Sequence, residues 1–328
     1  MGHRALRGRR AGISLFAGAA MAALLCGAAW AGEWPAKPVK VLVPYAAGGP
    51  VDTVTRMLME ITAKSLGQAV VVENKPGANT TVSTAALARS APDGYTFGVV
   101  PAAYTTNQVL AKNLPYKATD LAAVSHMVNI PLFLFASPAT PANSVAEFVA
   151  WARGKQPSYA STGPGSTGHL LGAMFSLSAD LKAVHVGYTG SAKAMPDLMA
   201  GLVDYFFDPA SGGMPHVKAG KLKVLAVSLP RRCDCAPDVP TMAESGFPDI
   251  VQSSWIGLMA PAGTPREVVE RMSAEVAKAV RSPELHARLQ GMGFGPVGST
   301  PAQFQALIES DISVYGAISR KAHITLEN

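Results

Sequence analysis

Short apolar, β-favouring runs alternate with segments of helical period along most of the chain. VKVLVPY (39–45) is such a run, AAGGP is a turn, and Val54, Met57, Leu58 and Ile61 then recur at helical spacing. VVVEN follows as the next strand. Strand, glycine loop, helix and strand in that order predict a βαβ unit, with parallel strands and a right-handed crossover. A helix at TTVSTAALARS and a third strand at DGYTFGVVP continue the pattern.

From residue 131 a second set begins. PLFLFASP reads as a strand and SVAEFVAWARG as a helix, with Ser144 as N-cap and Glu147 completing a capping box. PSYASTGPGSTG is a strand plus glycine loop, HLLGAMFSLSAD a helix, KAVHVGY a strand, SAKAMPDLMAGL a helix, and VDYFFD and KLKVLAVS two more strands. This alternation predicts an α/β architecture with mainly parallel sheets. The C-terminal part differs. TPREVVERMSAEVAKAVRS, capped by Thr264 and opening on Pro265, SPELHARLQGMG and TPAQFQALIESDISVYGAISRKA are three helices with only a short candidate strand. They are expected to pack back on the first sheet, which divides the chain into a discontinuous lobe 1 (32–131 plus 254–328) and a lobe 2 (132–253).

Composition changes this picture at the N-terminus. The 328 residues are 48% apolar and 15% charged, enough for two domains with real cores. Arg4, Arg7, Arg9 and Arg10, an apolar Ala/Gly-rich run and Ala29-Trp30-Ala31 fit a secretory signal over residues 1–31, which places the mature protein outside the cytoplasm, in the periplasm of a Gram-negative cell. Those four arginines, with no acid beside them, are four units of the net charge of +6, so the mature chain carries +2. That is no footprint for nucleic acid. Cys233 and Cys235 are left in the mature chain; a C-x-C pair without a nearby histidine is either a disulfide, a metal pair or two incidental thiols. No metal or cofactor is implied, and no other apolar run is long enough to span a bilayer.

The candidate chemistry lies in STGPGSTGHL (161–170). Gly163, Gly165 and Gly168 have the spacing G-x-G-x-x-G, but the strand that should end in a ribose-binding acid ends in Gly187-Tyr188. A phosphate loop fails at His169 and Leu170, where lysine and a hydroxyl are required, and a nucleophile elbow fails at Pro164. What remains is common to all three. Bare backbone N–H groups at a helix start favour an anion, and Ser161, Thr162, Ser166 and Thr167 add hydroxyls; Ser166 or Thr167 also reads as a plain helix cap. PYAAGGPVD repeats the arrangement about 117 residues earlier, so two helix starts can face each other across a cleft. Asp52 and Asp208 each have two readings: a charge suited to a helix start, or a group that sets the polarity of the ligand.

These residues, with LGQAVVVENKPGAN, APDGYTFG, DLMAGLVDYFFD, PDVPTMAESGFP and WIGLMAPAGTP, resemble the extracytoplasmic receptors of tripartite tricarboxylate transporters, the Bug family. The resemblance covers the chain from about Trp34 onward. It implies a two-lobed periplasmic binding protein of the type II-like, Venus-flytrap kind. Such a protein is a monomer that closes on a small carboxylate or amino acid and passes it to a large and a small membrane subunit. The implied ligand contacts are Tyr45, Ala46, Gly48, Gly49 and Asp52 in the first loop, Ala103 and Thr105 after the third strand, Ser161, Thr162, Gly165, Ser166, Thr167, Gly168 and His169 in the second loop, and Asp208. Where many members have a glycine-rich run, this chain has Asn79 and Thr80. Closure is expected about a hinge near residues 131 and 253. Two other functions use the same features differently: a ligand sensor docking on a membrane histidine kinase, and an exported hydrolase, for which no Ser-His-Asp set is legible.

Overall fold

The computed structural model describes residues 34–325, so the expected leader over 1–31 lies outside the described residues. β1 (Val39–Val43) buries Val39, Val41 and Val43 on one face and Leu42 on the other. It lies between β2 (Val70–Asn74) and β3 (Thr96–Pro101), parallel to both. α1 (Pro50–Leu66) makes the β1–β2 crossover and buries Val54 and Leu58 against the sheet. Each such side chain contributes about 1.5–3 kcal/mol, enough to fix the helix on its strands. Gly67, at φ 66°, ends the helix in the left-handed conformation that glycine allows.

Two sheets form. The first runs β11-β4-β10-β3-β1-β2, with β4 (Leu121–Ile130), β10 (Ser254–Pro261) and β11 (Gly295–Pro296). The second runs β7-β6-β8-β5-β9, with β5 (Leu132–Ala136), β6 (Ser158–Ser161), β7 (Val184–Gly187), β8 (Tyr205–Pro209) and β9 (Lys223–Val227). Both are mixed rather than mainly parallel. β10 is antiparallel to β3 and β4, and β5 is antiparallel to β8 and β9, whereas β6 is parallel to β7 and β8. The reason lies in the connections. β5 enters the second sheet directly from β4 through Pro131, and β10 returns to the first, so neither is delivered by a βαβ crossover that would force it parallel. β4 was not legible because Ser125 and Asn129 interrupt its apolar run; Ser125 is satisfied only in the fold, its hydroxyl donating to the Ser299 carbonyl at 2.9 Å.

The helices in chain order are completed by α2 (Thr81–Ala88), α3 (Ala103–Leu110), α4 (Val145–Ala152), α5 (Thr167–Ser178), α6 (Ser191–Ala200), α7 (Ala210–Lys218), α8 (Arg266–Arg281), α9 (Pro283–Gly291) and α10 (Pro301–Ala322). Ser144 caps α4 as expected, accepting the Glu147 N–H, but the Glu147 carboxylate reaches back one residue further, to the Asn143 N–H. α3 and α7 have no counterpart in the sequence pattern. α8 packs on α1, in keeping with the first sheet. α10 does something else. Phe304 and Ile308 join the first-sheet cluster with Trp255, while Tyr315 and Ile318 join the second-sheet cluster with Leu170 and Phe175, so one helix ties both sheets. The Trp255 indole N–H donates to the buried Asp311 carboxylate of that helix at 2.7 Å. Among the described residues no helix is long and apolar enough to cross a membrane.

Candidate functional site

β1, β3, β6, β7 and β8 each end by feeding a helix: α1, α3, α5, α6 and α7 in turn. Because β1 and β3 run parallel, as do β6, β7 and β8, each sheet presents its helix starts at one edge, and the β4–β5 crossover brings the two edges together. A cavity of about 810 Å³ lies between them. Gly49 to Val51 and Ala103 line it from the first sheet; Ser166 to Gly168, Gly190, Ser191 and Ser211 line it from the second. The first N–H groups of a helix have no acceptor within it and carry partial positive charge, so five helix starts make a site for an anion. Neither α1 nor α6 has a side-chain cap that would occupy those donors. Asp208 is the one charged side chain among the described lining residues, and no lysine or arginine is present there.

Nine of the residues expected from sequence line this cavity: Tyr45, Ala46, Gly49, Ala103, Thr162, Ser166, Thr167, Gly168 and Asp208. The other six do not. Asp52 is buried beneath the first loop, where it accepts from the Gly48 N–H (2.9 Å), Arg56 Nε (2.9 Å) and Asn74 Nδ2 (2.8 Å). Burial pushes its carboxyl up, but these partners outweigh burial and hold it at about 2. It shapes the loop and is neutralised there. Gly48 turns outward at φ 84° and lines a neighbouring cavity. Thr105 points into the core, its hydroxyl donating to the Ala102 carbonyl. Ser161, wholly buried, accepts the Gly163 N–H and contacts His185 Nε2 at 2.7 Å. That pair is no nucleophile and base for a ligand, because Ser161 does not reach the cavity. The Gly165 N–H is taken by His169 Nδ1 at 3.1 Å, and the His169 ring stacks on His185 at 3.7 Å on the far side of the loop. Burial pushes His169 down to about 4, with His185 adding to the shift, so the imidazole is neutral and holds the loop from behind.

Asp208 has the opposite environment to Asp52. It is fully buried; the Ser191 hydroxyl donates to Oδ1 at 2.6 Å, and Oδ2 has no partner. Burial raises its carboxyl from 3.8 to about 7, partly offset by Ser191. Between those values the unfolded chain ionises while the folded chain keeps its proton, so stability falls as pH rises from about 4 to about 7 and stays low above. Asp208→Asn is therefore expected to raise the melting temperature of the ligand-free protein at pH 8 and to leave it unchanged near pH 4. The full shift corresponds to roughly 4 kcal/mol. Burial pushes His126 down to about 4 too, and His169 and His126 act with the opposite sign, but both are common to parent and variant. Melting curves of the two proteins across pH isolate Asp208.

Sequence reasoning missed Thr189, Gly190 and Ser191, Ser211, Ser254 and Phe294 as lining residues. A signal existed for the first three: VGYTGSA is a third strand end, glycine and helix start. Asn79 also lines the cavity. Ala78, Asn79 and Thr80 all have positive φ (44°, 46° and 75°), which accounts for a glycine-rich run being suited to this turn. Reciprocal bonds hold it here: Asn79 Nδ2 donates to Asn107 Oδ1, and Asn107 Nδ2 to the Asn79 carbonyl, both at 2.8 Å. Thr80 is β-branched and its buried hydroxyl lacks a partner. Thr80→Gly is expected to stabilise the protein by about 1 kcal/mol, read by urea unfolding. Cys233 and Cys235 are joined in a disulfide, and no group of residues suited to a metal ion occurs among the described residues.

Comparison with known proteins places this geometry. A family model described as "Tripartite tricarboxylate transporter family receptor" matches residues 54–324. Protein BugT of Bordetella pertussis is 32% identical over 302 residues, covering 90% of this chain and 93% of its own. Among solved structures, Rpa4515 of R. palustris with adipate is 30% identical with a TM-score of 0.77, over 89% of this chain and 99% of that one. MatC from Rhodopseudomonas palustris with bound malate is 29% identical with a TM-score of 0.72, over 87% and 99%.

Proposed function

The chain belongs to the tripartite tricarboxylate transporter receptor family, and from that premise we propose that it captures a small carboxylate between two lobes and delivers it to the membrane subunits of such a transporter. One observation carries the ligand class: five helix starts, drawn from both sheets, converge on one cavity whose lining holds no cation. Neutral N–H and O–H donors satisfy a carboxylate's two oxygens, each bond to the charged group contributing about 1.5–3 kcal/mol. As a receptor, it binds and releases its ligand unchanged.

The lobes are the first-sheet unit and the second-sheet unit. Closure turns on the two crossovers, Pro131 and the stretch before Ser254, where the Ser228 hydroxyl meets the Gln252 and Leu132 carbonyls and Ser253 meets Asn129. A ligand that bonds to both lobes favours the closed form because only that form makes every contact. The protonated Asp208 offers its ligand a hydrogen-bond donor; ionised, it demands a hydroxyl or ammonium group. Residues 1–31 direct export to the periplasm, where the mature protein acts as a monomer.

The test is a thermal-shift and calorimetric screen of the mature protein against mono- and dicarboxylates, hydroxy acids and amino acids. A true ligand at 100 times its Kd stabilises by about 2.7 kcal/mol. Stabilisation by acids and not by their methyl esters supports the assignment; indifference to every carboxylate rejects it.

A further inference from the structure

We propose that a second anion site lies behind the ligand loop, where Lys182, His185, Lys321 and His323 line a cavity of about 580 Å³ suited to a phosphate-type oxyanion with two or more charges. It is separate from the helix-start cavity. Thr162 and Ser166 to Gly168 line that first space, Tyr159 and His169 line the second, and Pro164 stands in the wall between them. The charge balance is also different. Among the described lining residues of the second cavity there is no acid, and neither lysine forms an ion pair with a described residue. Asp180, in the adjacent turn, is exposed and outside the lining.

Three segments far apart in the chain supply the donors. His169 comes from the first turn of α5, Lys182 and His185 from the turn after α5 and from β7, and Lys321 and His323 from the last turn and cap of α10. The inner histidines each have one nitrogen committed to the loop. His169 Nδ1 accepts the Gly165 N–H at 3.1 Å and His185 Nε2 contacts the Ser161 hydroxyl at 2.7 Å, while the two rings stack at 3.7 Å and 9°. A neutral imidazole that accepts at Nδ1 carries its proton on Nε2, so His169 keeps that N–H as a donor. Burial pushes both rings down, so they donate without adding charge, and the two ammonium groups supply it. Leu181 and Ile324, both buried, wall the same space and strengthen the field within it. An oxyanion with several acceptor oxygens engages both lysines at once through charge-assisted bonds. A monocarboxylate brings one charge to two ammonium groups and matches them less well. Metal ions are repelled by the lysines, and no group of residues suited to one occurs among the described residues.

Calorimetry and NMR of the histidine side chains test this on the mature protein, with inorganic phosphate, pyrophosphate, glycerol phosphate and, as the ionic-strength control, sodium chloride. Pyrophosphate is expected to shift the His169 and His185 imidazole resonances saturably, with a Kd below ~1 mM, and phosphate to do so more weakly. Lys182→Gln combined with Lys321→Gln is expected to weaken that binding at least ~tenfold; both side chains are exposed, so the fold is not at risk. Ala103→Asp, which blocks the helix-start cavity, is expected to change it less than ~twofold. Glycerol phosphate binding as tightly as phosphate assigns the site to organic phosphates, and its exclusion assigns it to the inorganic ions. The proposal is overturned if sodium chloride reproduces the shifts, if no anion saturates them, or if binding survives the paired glutamines. Loss of binding in Ala103→Asp overturns it too, since the anion would then sit in the helix-start cavity. The receptor assignment is decided by the carboxylate screen and not by these outcomes.

Discussion

Ala103→Asp is expected to abolish carboxylate binding, by more than ~100-fold, while leaving the ligand-free protein as stable as before or slightly more so. Ala103 is the first residue of α3, half-buried, and lines the cavity from the first sheet. An aspartate there sits at the positive end of its helix, an interaction that contributes about 0.3–1 kcal/mol. The same carboxylate occupies the place meant for the ligand and repels it. The opposed signs are the point: a substitution that merely damaged the fold would lower the melting temperature and the affinity together. Titration calorimetry paired with thermal unfolding reads both quantities on one sample.

Gly168→Ala produces the second large effect, by geometry instead of charge. A Cβ on Gly168 would lie 2.6 Å from the Phe207 carbonyl oxygen, which is backbone of β8 and cannot swing aside. α5 must back away from the strand, at a cost of about 1–3 kcal/mol. The Thr167 and Gly168 N–H groups move with it. Losing two bonds to a charged ligand corresponds to at least ~100-fold in Kd, with the protein still folded by circular dichroism. Gly212→Ala is its counterpart on α7, since a Cβ there would strike the unpartnered Asp208 oxygen.

These two positions also show what was legible in the chain. GPGSTG announced a helix start with bare donors because glycine, proline and hydroxyl residues punctuate so strongly, and the structure brings Ser166, Thr167 and Gly168 to the cavity. Strand periodicity found most of the sheet segments, but apolar runs carry no direction, so the antiparallel run of β5 was hidden, and β10, like β4, was not read as a strand at all. Asp52 and Asp208 looked alike in sequence. Their difference rests first on Arg56, one helical turn beyond Asp52, then on Asn74, 22 residues away, whereas Asp208 is buried beside Ser191 and Gly212 with no cation among the described residues against it. The i+4 spacing of Arg56 is open to sequence reading; the other contacts are not. His169 was assigned to the ligand by the family resemblance, and its ring packs on His185 from the adjacent strand. The bridging role of α10 was likewise invisible: the helix was expected to pack back on the first sheet, though its apolar positions divide between two clusters.

The central claim, that uncharged donors from both sheets trap the acid together, is tested most directly by a crystal structure of the protein soaked or co-crystallised with an acid that stabilises it. The account predicts carboxylate oxygens about 3 Å from N–H or O–H groups on both sides, among them the α5 start and the α1 or α3 start. If the carboxylate in the helix-start cavity were paired with lysine or arginine, or touched a single sheet's loops with the opposite wall left free, the account would be contradicted.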